Sequence, residues 1–296
     1  MNNKFTVDIP INTKTHKYIF KLTLDKPTNT IIDKYSTKFR NDKIYQYEMH
    51  NSISDNTVRE NILKSLFRDS KGRPTANDKI DKVAIKVTML NAFYSTMINN
   101  DSLLAIANQI VHMKIDKRLR ANTTDYDLVN TIAYSKEYFA DDKNKFNFKY
   151  SFATKYCSWH VPNLYPIADS NSKGMLFQIN RGFKYSKNDI FYNTKSAKTV
   201  IAKNLNEYKC YCDLYKSFKT FPEFGISKTN KEIDEYLWKY SQIELNEQNL
   251  QIYENDNQIT LDSYNSNNTN RKMKTISDVI KINSDHFDAE KILKHT

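Results

Sequence analysis

The hydrophobic pattern of the chain changes its period near residue 51, and this change constrains the fold more than any other feature. In the segment KFTVDIPINTKTHKYIFKLTLDK, apolar and polar residues alternate, which is typical of a β-hairpin with one buried face. From residue 51 to about residue 245, apolar residues recur every three or four positions, as on one face of an α-helix. The 296 residues include only 4 glycines. We therefore predict a mostly α-helical protein with a small N-terminal β segment.

Three regions follow from this pattern. Residues 1–50 form the β segment, and residues 51–245 form a helical domain. After Leu245 the composition shifts towards Asn, Gln, Asp and Ser, which predicts that residues 246–296 are a polar linker. The last twelve residues, DHFDAEKILKHT, are expected to form a C-terminal helix.

The charge of the chain favours a polyanionic partner. Its 45 Lys and Arg outnumber its 34 Asp and Glu, which gives a net charge of +11. The 20 Tyr and 16 Phe are interleaved with lysine, a combination that suits phosphate contacts and base stacking. A Lys- and Asn-rich composition without functional meaning is the alternative explanation. We expect DNA as the partner.

The chain carries no sign of secretion or membrane insertion. Its opening residues, MNNKFTVDIPIN, lack the apolar stretch of a signal peptide, and no apolar run approaches membrane-spanning length. Three cysteines, Cys157, Cys210 and Cys212, make a poor disulfide framework for this length. We expect a cytoplasmic protein with no membrane partner.

The stretch YPIADS contains the most informative acidic residue, Asp169. It follows the helix-like run from Lys149 to His160, which Pro162 ends, and it precedes another helical pattern. An aspartate in this place is a natural helix N-cap. It is also a carboxylate held by a rigid loop, which can stabilise an oxocarbenium-like sugar and activate water during glycosidic cleavage. Both explanations fit the sequence.

The succession of helix, proline, short loop, proline, apolar residue, aspartate and helix resembles the helix-hairpin-helix (HhH-GPD) DNA glycosylases. The resemblance covers roughly residues 80–240 and implies a helical glycosylase-like bundle. YPIADS matches the catalytic turn of the family with Ala168 as an extra residue, so Asp169 takes the place of the catalytic aspartate. Lys149, twenty residues earlier, falls close to the Schiff-base lysine of the bifunctional members. The glycine-rich hairpin of the family is missing, because DDKNKFNFKYS contains no glycine.

The resemblance implies a function and a set of site residues. We expect a monofunctional glycosylase, without a cofactor, that flips a damaged or modified base and leaves an abasic site. One such base would be a bulky one in bacteriophage DNA, such as a glucosylated hydroxymethylcytosine, removed as antiviral defence. The expected catalytic residues are Asp169 and Lys149. The expected substrate-binding residues are Asn91, Tyr94, Ser95, Trp159 and Tyr165, and the expected DNA contacts are Lys143, Lys145, Lys155 and Ser170.

Other classes of protein remain open from the sequence. A non-catalytic nucleic-acid-binding or interaction protein would keep the helical scaffold and use Asp169 only as a cap. A nuclease would need carboxylates at metal-binding spacing, which the chain does not show. Zinc shared by Cys157, His160, Cys210 and Cys212 is a further alternative, because thiolates and imidazole bind Zn²⁺. An iron-sulfur cluster held by four cysteines is excluded, since only 3 cysteines exist.

Overall fold

The protein is mostly α-helical and has a small β-sheet near its N-terminus, as the sequence predicts. The computed structural model describes residues 3–12, 16–41, 56–94, 96, 98–133, 149–186, 207–268 and 272–281. Two compact units are formed, and each has its own core. The first unit contains residues 1–36, 170–228 and 232–296, and the second contains residues 37–169 and 229–231.

The sheet of the first unit has four antiparallel strands in the order β1-β2-β3-β4. Strands β1 (Lys4–Asn12) and β2 (Lys17–Asp25) form the predicted hairpin, in which Ile9 is paired with Phe20. Alternate side chains of both strands are buried, which is why the apolar residues recur with a period of two.

The other two strands come from the region expected to be a polar linker. Strand β3 (Leu250–Glu254) pairs with β2, and β4 (Asn257–Ile259) pairs with β3. Helix α11 (Leu261–Asn267) follows, and its Tyr264 packs edge-on against Phe20. Contacts with the hairpin therefore give residues 246–268 their regular structure. The polar composition of these residues does not predict such contacts. The predicted C-terminal helix lies outside the described residues.

The helices of the first unit pack on this sheet or on one another. They begin with α1 (Asn29–Asn41), whose first turns belong to this unit, and α8 (Ser170–Phe183), which packs on β1. Helix α9 (Glu207–Thr220) packs on α8, and α10 (Asn230–Ser241) follows, with residues 276–281 also helical. Gly174 of α8 is required for close packing, because a Cβ there would lie 2.2 Å from Cγ2 of Ile280.

The regular elements of the second unit are all helices within its described residues, which also contain an isolated β-bridge between Arg68 and Pro74. Its elements are α2 (Asn56–Phe67), α3 (Ile80–Tyr94), α4 (Asn100–His112), α5 (Asp116–Leu119), α6 (Tyr126–Ala133) and α7 (Tyr150–His160). Helix α7 is the centre of the unit, since it packs on α2, α3 and α6 and most of its side chains are buried. It ends at His160, two residues before Pro162, as the sequence predicts.

Candidate active site

An ion pair between a buried lysine and a partly buried aspartate marks the candidate site in the second unit. Nζ of Lys155 lies 3.4 Å from Oδ2 of Asp169, and the two side chains are 6% and 16% exposed. The same amine donates a hydrogen bond of 2.6 Å to Oγ of Ser151, one turn earlier on α7. Charges removed from water this far need partners, so the pair fixes the position of both side chains.

The loop that carries Asp169 is held at two points, by α7 and by the segment that precedes α6. The backbone N–H of Ala168 donates to Oγ1 of Thr154 on α7, over 3.2 Å. At the other end of the loop, the hydroxyl of Thr124 donates to the carbonyl oxygen of Leu164, over 2.8 Å. These bonds fix the backbone between Leu164 and Asp169. The carboxylate of Asp169 is thereby placed beside Lys155.

Two predicted aromatic residues meet beside this pair. The ring of Tyr94, at the end of α3, lies 5.5 Å from Nζ of Lys155 and 6.3 Å from the ring of Trp159. Trp159 is only 6% exposed, and its Nε1–H has no acceptor among the described residues. A buried indole donor without a partner loses the hydrogen bond that water would supply. It therefore lacks the partner that buried polar groups usually have.

A second ion pair lies against the same tryptophan and was not found from the sequence. Nζ of Lys231 pairs with a carboxylate oxygen of Glu60, whose side chain is 14% exposed. The same amine lies 5.9 Å from the ring of Trp159. Glu60 and Lys231 are 171 positions apart, and no motif of the sequence connects them. The candidate site thus combines two Lys-carboxylate pairs with two aromatic rings.

Two of the four lysines expected in the site lie in the described residues, and they have different surroundings. Lys149, the expected Schiff-base residue, is the N-cap residue of α7, and burial lowers the pKa of its amine. Lys155, expected to contact phosphate, lies six residues further along the helix, a rise of about 9 Å. It is buried against Asp169 instead of being displayed to solvent. Lys155 therefore contacts the carboxylate of Asp169.

Two residues expected to bind the substrate make hydrogen bonds within the unit. Tyr165 is fully buried, and its hydroxyl accepts a hydrogen bond from the backbone N–H of Asp125. The side chain of Asn91 holds the turn after α3, because its amide donates to the carbonyl of Ile98 and its oxygen accepts from Thr96. These hydrogen bonds engage both side chains within the protein, and neither residue is part of the cluster around Lys155 and Asp169 described above. Their substrate-binding roles stay predictions.

The remaining predicted residues divide into one that is described and three that are not. Ser170 is exposed and is the first residue of α8. Ser95, Lys143 and Lys145 lie outside the described residues, and their roles stay predictions.

A buried polar network occupies the interior of the second unit. Lys86 is 2% exposed, and its amine donates to Oδ1 of Asn77 and to the carbonyl of Ala76, over 2.8 and 3.0 Å. The Tyr156 hydroxyl donates to the same Oδ1 over 2.6 Å, and the amide of Asn77 donates to Asp116. Burial lowers the pKa of Lys86 to about 8. Sequence patterning predicts the apolar side of these helices but gives no signal for such a network.

The residues of the zinc alternative lie in different surroundings. Cys157 and His160 are both buried in α7, and burial lowers the pKa of His160 well below its usual value. Burial of Cys212, in α9, raises the pKa of its thiol to about 12, which disfavours the thiolate that binds metal. Within the described part of the chain, no group of three or more His, Cys, Asp or Glu side chains is placed to hold a metal ion.

The fold and the site define a mostly helical protein with a charged, aromatic cluster in its second unit. A family model described as "HI_0787_N: N-terminal domain" matches residues 31–164. A relative from Haemophilus influenzae, described as "Uncharacterized protein", is 31% identical over 165 residues, which is 54% of this chain. The chain spans 66% of the length of that relative. No solved structure matches the chain significantly.

The family match lies mostly in the second unit. The family match ends at Leu164, five residues before Asp169, so it includes α7 and most of the candidate site. Across the described residues, no helix is both long and apolar enough to cross a membrane.

Proposed function

We propose that the protein is a DNA glycosylase that cleaves the N-glycosidic bond of a flipped base and leaves an abasic site. The observation that carries this proposal is the contact of 3.4 Å between Lys155 and Asp169, beside the rings of Tyr94 and Trp159. Glycosidic cleavage needs a fixed carboxylate near the sugar and a surface on which the extruded base can stack. The net charge of +11 supports a DNA substrate.

Each residue has a distinct role in this proposal. As the bond from C1′ to the base breaks, its electron pair leaves with the base, and Asp169 stabilises the positive charge on the sugar. Water then attacks C1′, and the proton that it loses neutralises the released base. Lys155 holds the carboxylate in place, while Tyr94 and Trp159 contact the base. The unpartnered Nε1–H of Trp159 donates to an acceptor on that base.

The substrate belongs to the class of damaged or modified bases. A glucosylated hydroxymethylcytosine of bacteriophage DNA, removed as antiviral defence, is the first modified base to test. A cytoplasmic location fits this role and fits the three cysteines, none of which forms a disulfide.

The experiment is a screen of the purified protein on duplexes that carry different modified bases, followed by alkali, which cuts DNA at abasic sites. We expect cutting with one class of base and none with the D169N variant. Borohydride added during the reaction distinguishes the two chemistries, because it traps protein on DNA only if a lysine forms a Schiff base. Failure of every duplex and single strand to gain an abasic site would exclude the glycosylase.

The second candidate function is a non-catalytic nucleic-acid-binding or interaction protein. It is favoured by one observation, which is that the Lys155–Asp169 pair and the bond from Ala168 to Thr154 together fasten the loop to α7. In that case the pair is only a structural clamp. DNA binding by a protein that never forms abasic sites, and that keeps its affinity in D169N, would select this candidate.

A further inference from the structure

An open groove on the second unit has a composition that suits one strand of nucleic acid. Its volume is about 640 Å³. It lies between the turn after α2, the turn after α5 and the segment that follows α7. The apolar part of its wall includes Pro74, Val161 and Leu164, and its cations are Arg73 and Arg120. None of these residues belongs to the candidate active site.

The groove has an excess of positive charge. Its acidic residue, Asp69, is neutralised by Arg73, whose Nε and Nη2 lie 2.8 and 2.7 Å from Oδ2. This bond lowers the pKa of the Asp69 carboxyl. The guanidinium of Arg120 makes no ion pair within the described part of the chain. Lys71, from the same turn as Arg73, is exposed. An anion entering the groove therefore meets cations with spare N–H donors.

The turn that carries Arg73 is preorganised. Asp69 accepts hydrogen bonds from the backbone N–H groups of Lys71 and Arg73, both over 2.9 Å. The backbone of Gly72 has a positive φ of 73°, which glycine adopts without strain. The turn thus presents its cations on a closed loop, and little conformational entropy is lost when a ligand binds.

The groove is also close to the candidate active site along the chain. Leu164 lines the groove, and its carbonyl is fastened by Thr124. Asp169 is five positions further along the chain, a distance of at most about 17 Å for an extended chain. Stacked nucleotides of one strand are about 3.4 Å apart. A strand whose reacting nucleotide is at Asp169 reaches the groove within about five nucleotides.

We propose that this groove binds the sugar-phosphate backbone of the DNA strand next to the reacting nucleotide, with Arg120 and Arg73 on phosphates and the apolar wall against deoxyribose. The proposal rests on the proposed function for the identity of the polyanion. It also supplies a DNA contact in a protein that lacks the glycine-rich hairpin expected from the sequence. In the groove, cationic side chains alternate with apolar surface. This suits a DNA strand, in which phosphates alternate with deoxyribose, better than an acidic peptide, which has carboxylates but no sugars.

The experiment measures binding without catalysis. A fluorescein-labelled, unmodified 15-base-pair duplex is titrated with wild type, R120A, R120E and R73A by fluorescence anisotropy at 50 and 200 mM salt. We expect R120A to raise Kd about fivefold and R120E to raise it more, with a fall of about one in the slope of log Kd against log salt. The matched control is K82A, which removes another exposed cation paired weakly with Asp78, at 3.9 Å. Its affinity should equal that of wild type.

Two results would overturn the groove assignment. One is wild-type affinity and salt slope in R120E, and the other is competition by polyglutamate as effective as that by unlabelled DNA of equal charge. The assay on modified duplexes keeps the two proposals apart. If wild type forms abasic sites and R120E binds DNA as tightly as wild type, the groove assignment is refuted and the glycosylase proposal stands. Loss of DNA binding in R120E, with no abasic sites from any duplex, would refute the glycosylase and leave the groove as a DNA contact.

Discussion

Lys155 and Asp169 are fourteen residues apart in the sequence, and their charged groups are 3.4 Å apart in the second unit. The pairing changes what a substitution of Asp169 is expected to do. From the sequence, an N-cap aspartate can be replaced at a cost of about 1 kcal/mol. With a lysine buried against it, replacement also leaves an ammonium group without its counter-charge.

We predict that D169N lowers the free energy of unfolding by about 2 kcal/mol because the Lys155 amine stays buried. The double variant K155M/D169N should recover most of this loss and should still form no abasic sites, since it lacks the carboxylate. Urea denaturation and the alkali assay measure the two properties. Additive stability effects in the double variant would contradict the pairing, and activity that returned with stability would contradict the catalytic role of Asp169.

Trp159 offers a test that separates binding from folding. The substitution W159F keeps an aromatic ring and removes an Nε1–H that has no acceptor in the described residues, so no internal hydrogen bond is lost. We expect the free energy of unfolding to fall by only about 1 kcal/mol, from the smaller ring. We expect kcat/KM for base excision to fall about tenfold, mainly through KM. Unchanged kinetics would remove Trp159 from the site.

Lys86 should make stability depend on pH. Burial lowers its pKa from 10.5 to about 8, so between these values the unfolded chain binds more protons than the folded chain. The free energy of unfolding therefore increases with pH in this window, by about 2 kcal/mol between pH 8 and 10. K86M should lack this increase. Parallel pH profiles of wild type and K86M in urea denaturation would show that Lys86 is not the cause.

The contact between α8 and residues 276–281 can be tested by filling space. Alanine is usually favoured over glycine inside a helix by about 1 kcal/mol. In G174A the new Cβ would lie 2.2 Å from Cγ2 of Ile280, so we expect a net loss of about 2 kcal/mol in the free energy of unfolding. In an I280A background the same substitution should cost nothing. A loss of equal size in both backgrounds would exclude this contact as the reason.

Local patterns of the sequence predict the helices and strands better than they predict which of these elements contact one another. The period of two identifies β1 and β2, and Pro162 identifies the end of α7, because each signal is contained in a few neighbouring residues. Strands β3 and β4 are missed, since their polar composition is compensated by pairing with β2, far away in the chain.

In the candidate site, too, local motifs identify some residues, and other residues are recognised only from the fold. A loop motif and a cluster of aromatic residues in the sequence point to Asp169, Tyr94 and Trp159. In the structure, Lys155 contacts Asp169 and Tyr94, and Tyr94 contacts Trp159. Tyr165 belongs to the same motif and is a core residue. Sequence patterns could not identify the pair of Glu60 and Lys231, because only the fold places these two residues in contact.

The pairing of β2 with β3 has a consequence for how the protein is made. Phe20 is paired with Ile252, so one edge of β2 has no partner until more than two hundred further residues leave the ribosome. At about 5 to 20 residues per second, that edge waits roughly 10 to 50 s. An unpaired apolar strand edge promotes aggregation. Nascent chains should therefore depend on a chaperone during this interval, and any chain that stops before Leu250 should be trapped in the same exposed state.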